Sequence, residues 1–363
     1  MPCWTRLPAR CGPTSSPRAA PRPTLGPKGA SVSTQPDEFA LIAELFAPLA
    51  ASCPGALGLT DDAALLEVPA GQQLVVTVDA MVAGVHFLPD DPPDLIARKL
   101  IRVNLSDLAA KGAVPFAVLL AASFPTDVSM AWLTTFAAGL KQDVESYAIA
   151  LIGGDTVSTP GPLTLSLTAF GRVEAGRALL RRHAQVGDRL WVSGTIGDGA
   201  LGLLAAQGGL LDLSAEHRDA LADRYRLPRP RSLLGPRLVG VARAAMDVSD
   251  GLVQDLGHLC RASGVGAVVE ADKVPLSAAA RAVVAADQSR LATVLTGGDD
   301  YELLFTAPRE GTDLLLTLAR ETDTSLTEIG CITAGTGVTV LDRDGQAVLL
   351  PRQGWRHFRG EPA

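Results

Sequence analysis

The sequence predicts a mixed α/β fold in two domains, on three observations. At 363 residues the chain exceeds the roughly 250 to 300 that one hydrophobic core organises. Strand-like apolar runs alternate with helix-periodic stretches through the first half. Then GRALLRRHAQVGD, Gly176 to Asp188, breaks the strand pattern and ends in a turn-like Gly-Asp pair, so a second domain is expected beyond it.

Order is expected from Pro36, where EFALIAELFAPLA places Ile42, Leu45, Phe46 and Leu49 on one helical face. Two strands, AALLEVP and QLVVTVDAMV, should follow. A helix from Asp94 to Lys111 should end at Gly112, with Pro115 close behind. FAVLLAASF reads as a buried strand, MAWLTTFAAGLKQDVESY as a helix, and AIALIGGDTV and LTLSLTAFGRV as strands. Past the linker come the strand RLWVSG, several helices between Asp198 and Ala245, the strand AAMDVSD and a helix from Gly251. A succession of strands around VVEAD, ELLFTAP, TEIGCIT and VTVLD closes the chain. The expected organisation is an extension over 1–34, one domain over 35–176 and another over 177–363.

The extension is rich in Pro, Arg, Ser and Gly and has no acids, which reads as disorder. A transit peptide competes with that reading, although its prolines oppose an amphipathic helix, and so does a start codon assigned too far upstream. Net charge is −7, and no stretch concentrates Lys and Arg beside aromatics, so nucleic acid is not expected as a partner. No apolar run reaches the roughly 18 residues that span a bilayer, so a membrane is not expected either. Five scattered cysteines, Cys3, Cys11, Cys53, Cys260 and Cys331, with no C-x-x-C, fit reduced thiols and a cytoplasmic location.

There is no G-x-x-x-x-G-K-[ST] motif. Gly197 to Gly202 fits G-x-G-x-x-G after a strand. However, Asp198 would face an incoming pyrophosphate and the following stretch is polar and helical, so a tight strand-to-helix turn is the simpler account. More telling are acids at the edges of apolar elements. Asp61 and Asp62 precede AALL, Asp79 interrupts a strand, and Asn104 and Asp107 share a helix face. Asp155 follows Gly153 and Gly154, and Asp247 and Asp250 bracket a strand-to-helix step. Each alone reads equally as a cap, a turn or a solvated acid. Together they are costly to bury unless paired or bound to metal, and an oxygen-only set suits Mg²⁺ or Ca²⁺ better than zinc. Several Mg²⁺ ions around a polyphosphate, hence phosphoryl transfer, is the chemistry such a set favours. Asn104, the only Asn in the chain, reads equally as a helix-face hydrogen bonder.

The ordered motifs DDAALL, TVDAMVAGVHF, VNLSDLAAKGA, LIGGDT, GRALLRR, DVSDGL, LTGGDDYEL and GWRHF resemble the thiamine-monophosphate kinase family, within the superfamily that includes aminoimidazole ribonucleotide synthetase. The match runs from about Glu38 to Phe358. The resemblance implies an α/β fold in two domains, the first pairing with its twin in a homodimer to close a barrel-like sheet. It also implies transfer of the γ-phosphoryl of ATP to thiamine monophosphate. Carried over by motif, Asp62, Asp79, Asp107, Asp155, Asp247 and Asp250 would hold Mg²⁺, with Thr77 or Val78 adding a carbonyl, and Asp107 and Asp250 would be catalytic. Gly154, Asp155, Arg181 and Ser249 would hold the nucleotide, with Tyr147 near its base or ribose, and His86, Asp299 and Trp355 would contact thiamine monophosphate. Taken without the motifs, Arg181 reads as a linker charge, His86 as a strand-end histidine and Trp355 as tail packing. Three positions depart from the family pattern: Thr60 replaces a Gly, Asp299 a Glu and Trp355 a Tyr. The alternatives are another ATP-dependent member of the superfamily, of selenophosphate, aminoimidazole ribonucleotide or hydrogenase-maturation type, and a nucleotide- or cation-binding module without turnover.

Overall fold

The computed structural model describes residues 38–351 and 354–355. The extension over 1–34, Cys3, Cys11 and the end of the GWRHF run lie outside the described residues. The chain opens with α1 (Glu38–Leu41), a π turn over Ile42–Phe46 and a 3₁₀ turn over Ala47–Ala50. Pro48 sits in that last turn, where it cannot donate to a continuing helix, so the single expected helix is divided. Its apolar face survives, with Phe46 and Leu49 buried and Ile42 and Leu45 packed on the core.

Four strands build the first sheet: β1 (Gln72–Val82), β2 (Val114–Pro125), β3 (Ala150–Thr159) and β4 (Thr164–Glu174), in the order β1-β4-β2-β3. Alternation fixes its faces. In β4, Leu165, Leu167 and Ala169 are fully buried, while Ser166, Thr168 and Phe170 turn to the other side. The buried side is covered by α2 (Pro93–Ala110), with α3 (Met130–Ser146) packed against α2. The opposite face stays open at β1, where Val76 and Val78 are 53% and 59% exposed.

AALLEVP is not a strand. β1 pairs along its length with β4 on one side only, and its other edge has no strand partner among the described residues, yet the run does not add there. The run instead lies on the open face, where Ala64 and Leu66 pack with Ile152 and Phe170 and Leu65 donates to the Gly55 carbonyl at 2.8 Å. Thr60 has φ −110°, a conformation open to any residue, and its hydroxyl bonds Leu57 O at 2.8 Å, so replacing Gly there demands no special backbone.

The second sheet comprises β5 (Arg189–Ser193), β6 (Ala244–Val248), β7 (Gly266–Glu270), β8 (Glu302–Ala307), β9 (Leu326–Thr333) and β10 (Gly337–Leu341), ordered β10-β7-β9-β5-β8-β6. Helices α4 (Asp198–Ala206), α5 (Ala215–Arg226) and α6 (Leu252–Ser263) stand where the sequence places helices. The sequence reading did not anticipate α7 (Ala278–Ala286), α8 (Arg290–Thr296) or α9 (Thr312–Glu321). The G-x-G-x-x-G turn opens α4 with Gly197 at φ 90°, and the Asp300 carboxylate accepts from Gly197 N at 2.8 Å and Gly199 N at 3.0 Å. The helix N-terminus a pyrophosphate would occupy is therefore filled by the chain's own acid.

Helix α2 is common to both halves. One side packs on β1 and β4, and its later turns reach β6 and β8. Gly235 passes so near that a Cβ there would stand 2.2 Å from the Ala109 carbonyl.

Candidate active site

Where α2 meets β6, a cavity of about 580 Å³ opens between the two sheets. Asp79 of β1, Asp107 of α2, and Asp247, Ser249 and Asp250 at the end of β6 line one part. His86, Asp299, Tyr301 and Trp355 line another. The chain's own hydrogen bonds set these side chains. Buried Asn104 accepts from Asp79 N at 3.0 Å and donates to Leu100 O at 2.9 Å, tying strand to helix. Thr77 donates its hydroxyl to Asp107, and buried Ser106 donates to Asp247 Oδ2 at 2.7 Å. The turn after β6 is held by buried Asp255, whose Oδ2 accepts from Ser249, Asp250 and Gly251 at 3.0, 3.0 and 3.1 Å. Asp250 O accepts from Trp355 N at 3.0 Å, and His86 Nδ1 accepts from Val82 N at 3.0 Å.

Crowded carboxylates resist ionisation here. Burial, then the charges of Asp107 and Asp250, push Asp79 up to about 6. Burial, then Asp107, push Asp247 up to about 8 against the opposing Ser106 hydrogen bond. Burial pushes Asp255 up to about 7, although the backbone donors at 249–251 counter it.

Other sequence-derived positions lie elsewhere. Asp62, Gly154 and Asp155 line a second cavity of about 740 Å³ on the open face of the first sheet. Asp79 pairs with Leu167 and Asp155 with Ala121, itself opposite Ser166, so the two acids sit at almost one level on opposite edges of the sheet. Three strand spacings separate them, about 14 Å. Gly154 is required by the fold itself, because a Cβ would stand 1.9 Å from Leu120 O. Val78 turns its side chain to the open face and Thr77 toward α2. Arg181, exposed in a 3₁₀ turn, and Tyr147, half-buried beside the Arg102 guanidinium, line neither cavity.

Among the described residues, no three His, Cys, Asp or Glu side chains converge closely enough to hold a metal alone. The donor set still fits Mg²⁺, which takes one or two carboxylates and completes its shell with waters and substrate phosphates. The sequence reading missed Ser106, Asp255 and Lys99. The first and last have partners 141 and 200 residues away, so no local spacing signals them.

The model for the AIR synthase related protein, N-terminal domain, matches residues 60–173, and that for the C-terminal domain matches 185–343. The thiamine-monophosphate kinase of Caulobacter vibrioides is 43% identical over 331 residues, covering 90% of this chain and 93% of that protein. The chain is a member of the thiamine-monophosphate kinase family. Within the family, the crystal structure of the Stenotrophomonas maltophilia enzyme is 46% identical with a TM-score of 0.73, covering 80% of this chain and 91% of that one. AaThiL complexed with AMPPCP and TMP is 31% identical with a TM-score of 0.71, over 88% and 94%. The mixed α/β fold expected from the sequence is that of the family.

Raised carboxylates give a signed prediction for stability. Asp247 binds its proton more tightly folded than unfolded, so its contribution is fully present below about pH 4 and is lost as pH rises toward 8. Asp247→Asn cannot lose a proton there. In urea titrations with chelator present, the variant should exceed the native chain by at least about 2 kcal/mol at pH 8, with the gap closing toward pH 5. A gap independent of pH would contradict the assignment.

Proposed function

We infer that the chain transfers the γ-phosphoryl group of ATP to the phosphate of thiamine monophosphate, giving thiamine diphosphate and ADP in thiamine diphosphate biosynthesis. One observation carries the reading: in a member of this family, a single cavity joins a wall of carboxylates to a wall formed by His86, Asp299 and Trp355. The acceptor phosphate has a second pKa of about 6, so its oxygen is ionised at neutral pH and needs no general base. That suits a chain with five His against 39 Asp and Glu.

Mg²⁺, when bound, supplies the positive charge that lets two phosphate anions approach and aligns their oxygens for in-line attack. Asp79, Asp107, Asp247 and Asp250 would hold Mg²⁺ ions from the first cavity together with water and phosphate oxygens, with the Thr77 or Val78 carbonyl, and Asp107 and Asp250 would be the catalytic acids. Asp62 and Asp155 would hold Mg²⁺ from the second cavity, beside Gly154. Ser249 donates to nucleotide phosphate, while the roles of Arg181 with phosphate and Tyr147 with base or ribose rest on the motif match alone. His86, Asp299 and Trp355 receive thiamine monophosphate, the indole facing the thiazolium cation.

Asp155 and Asp79, about 14 Å apart, cannot share an ion whose bonds are about 2.1 Å long. A homodimer resolves this by setting the β3 edge of one protomer beside the β1 edge of the other, closing the open faces into a barrel. The exposed valines of β1 support that packing. Residues 35–176 then form the ATP, Mg²⁺ and dimerisation domain, and 177–363 complete the site. Free Cys53, Cys260 and Cys331 accord with a cytoplasmic enzyme.

Incubation with ATP, Mg²⁺ and thiamine monophosphate should yield thiamine diphosphate. Asp107→Asn should lower kcat by at least about 100-fold. Absence of product from the native chain, or full activity in the variant, would overturn the reading. Refolding inactive Asp155→Asn and Asp247→Asn chains together in equal amounts tests the shared site. One intact site in each mixed dimer should restore about a quarter of native activity. A mixture as inactive as its parents would exclude a site built from two protomers.

A further inference from the structure

Lys99 is the buried cation of the active-site cavity. It lies on α2 at 2% exposure, and its ammonium donates to Asp299 Oδ2 at 3.1 Å and to His86 O at 3.0 Å. The same nitrogen stands 3.7 Å from the centroid of the Tyr225 ring, whose hydroxyl donates to His86 O at 3.4 Å. Two hydrogen bonds and an aromatic face occupy the ammonium, so it has no capacity to grip a phosphate. Its charge is spent on the chain's own groups.

Asp299 is the receiver of that charge. Its side chain keeps 30% of its surface exposed and lines the cavity. Its other oxygen, Oδ1, accepts from Tyr301 Oη at 3.2 Å. The backbone holding it is strained, with Asp299 at φ 70° and Tyr301 at φ 52°. Asp300 between them is anchored in the opening turn of α4, and Asp299 N and Tyr301 N donate to Ser249 O at 2.9 Å and Val248 O at 2.8 Å. The main chain is thus fixed from the second sheet, while the carboxylate is aimed by Lys99 from the first half of the chain.

Lys99, Val103 and Asp107 all line the cavity. At spacings of four residues they form one row along α2, spanning about 12 Å from first to last. One rigid helix therefore sets the distance between the carboxylate at one end of the cavity and the transfer carboxylates at the other.

We propose that Lys99 is a positioning residue that orients Asp299 toward the cationic thiazolium of the acceptor and so sets preference for a positively charged substrate ring. The proposal rests on the function inferred above and adds to it a determinant outside the expected site residues. Lys99→Met leaves the Asp299 carboxylate held only through Oδ1 by Tyr301, with Oδ2 released. Arginine keeps the charge.

The test is steady-state kinetics on the native chain and on Lys99→Met, Lys99→Arg and Asp299→Asn, with thiamine monophosphate and with a neutral-ring isostere carrying carbon in place of the thiazolium nitrogen. Lys99→Met should raise KM for thiamine monophosphate at least about 10-fold while KM for ATP changes less than about 3-fold. Selectivity for the charged over the neutral ring should collapse equally in Lys99→Met and Asp299→Asn, and adding the second change to the first should cost little more. Lys99→Arg should retain most of that selectivity. A parallel rise in both KM values, or unchanged ring selectivity in Lys99→Met, would overturn the proposal. If the methionine variant fails to fold, Asp299→Asn and Lys99→Arg carry the same comparison, and loss of ring selectivity in the arginine variant or its retention in the asparagine variant would overturn it. A native chain that phosphorylates neither compound would instead contradict the inferred function.

Discussion

Four carboxylates facing one cavity cannot all be ionised and bare, and the architecture around α2 exists to hold them there. Asp79, Asp107, Asp247 and Asp250 arrive on a strand, a helix and a strand-to-helix turn drawn from both sheets. Hydrogen bonds fix each of them, Asn104 at the Asp79 backbone, Thr77 at the Asp107 carboxylate, Ser106 at the Asp247 carboxylate and Asp255 at the turn bearing Asp250. Burial, and after it the charge of Asp107, lifts Asp79 and Asp247, and that is the cost of this arrangement, which the proposed cations and substrate phosphates would relieve. A site that is unfavourable when bare and favourable when loaded binds its charged ligands as a set.

The same helix explains why the cavity can tell its two ends apart. Transfer chemistry needs positive charge brought in, so the Asp107 end is acidic. The proposed recognition of a cationic ring needs one well-aimed anion, and at the Lys99 end a single carboxylate is held by Lys99 and Tyr301. Placing Lys99 and Asp107 two turns apart on α2 makes the separation of the two ends a property of helix geometry instead of loop conformation.

Much of this was legible in the sequence. Alternation announced β1 to β4, and acids interrupting apolar elements marked Asp79, Asp107, Asp247 and Asp250, because burying charge leaves a local signature. AALLEVP misled because its composition suits a strand and an apolar cover alike, and it covers the open face of the first sheet instead of extending the free β1 edge. The alanine-rich α7 and the short α8 carry too few periodic positions to distinguish from strand punctuation. Lys99 and Ser106 were invisible for another reason: the carboxylates they bond lie 200 and 141 residues away. Placing Asp62 and Asp155 away from Asp79 likewise required strand order, which spacing does not encode.

If the buried carboxylates serve Mg²⁺ as proposed, those kept partly protonated by burial and neighbouring charge must give up their protons when ATP and Mg²⁺ bind. Titration calorimetry of Mg²⁺ with an unreactive ATP analogue, repeated at pH 7 in buffers of different ionisation enthalpy, counts the protons released. Asp247, near 8 in the bare chain, should surrender its proton on loading, giving a release of roughly one proton per site. Binding heats independent of the buffer would show that no buried carboxylate is discharged, and would contradict the account.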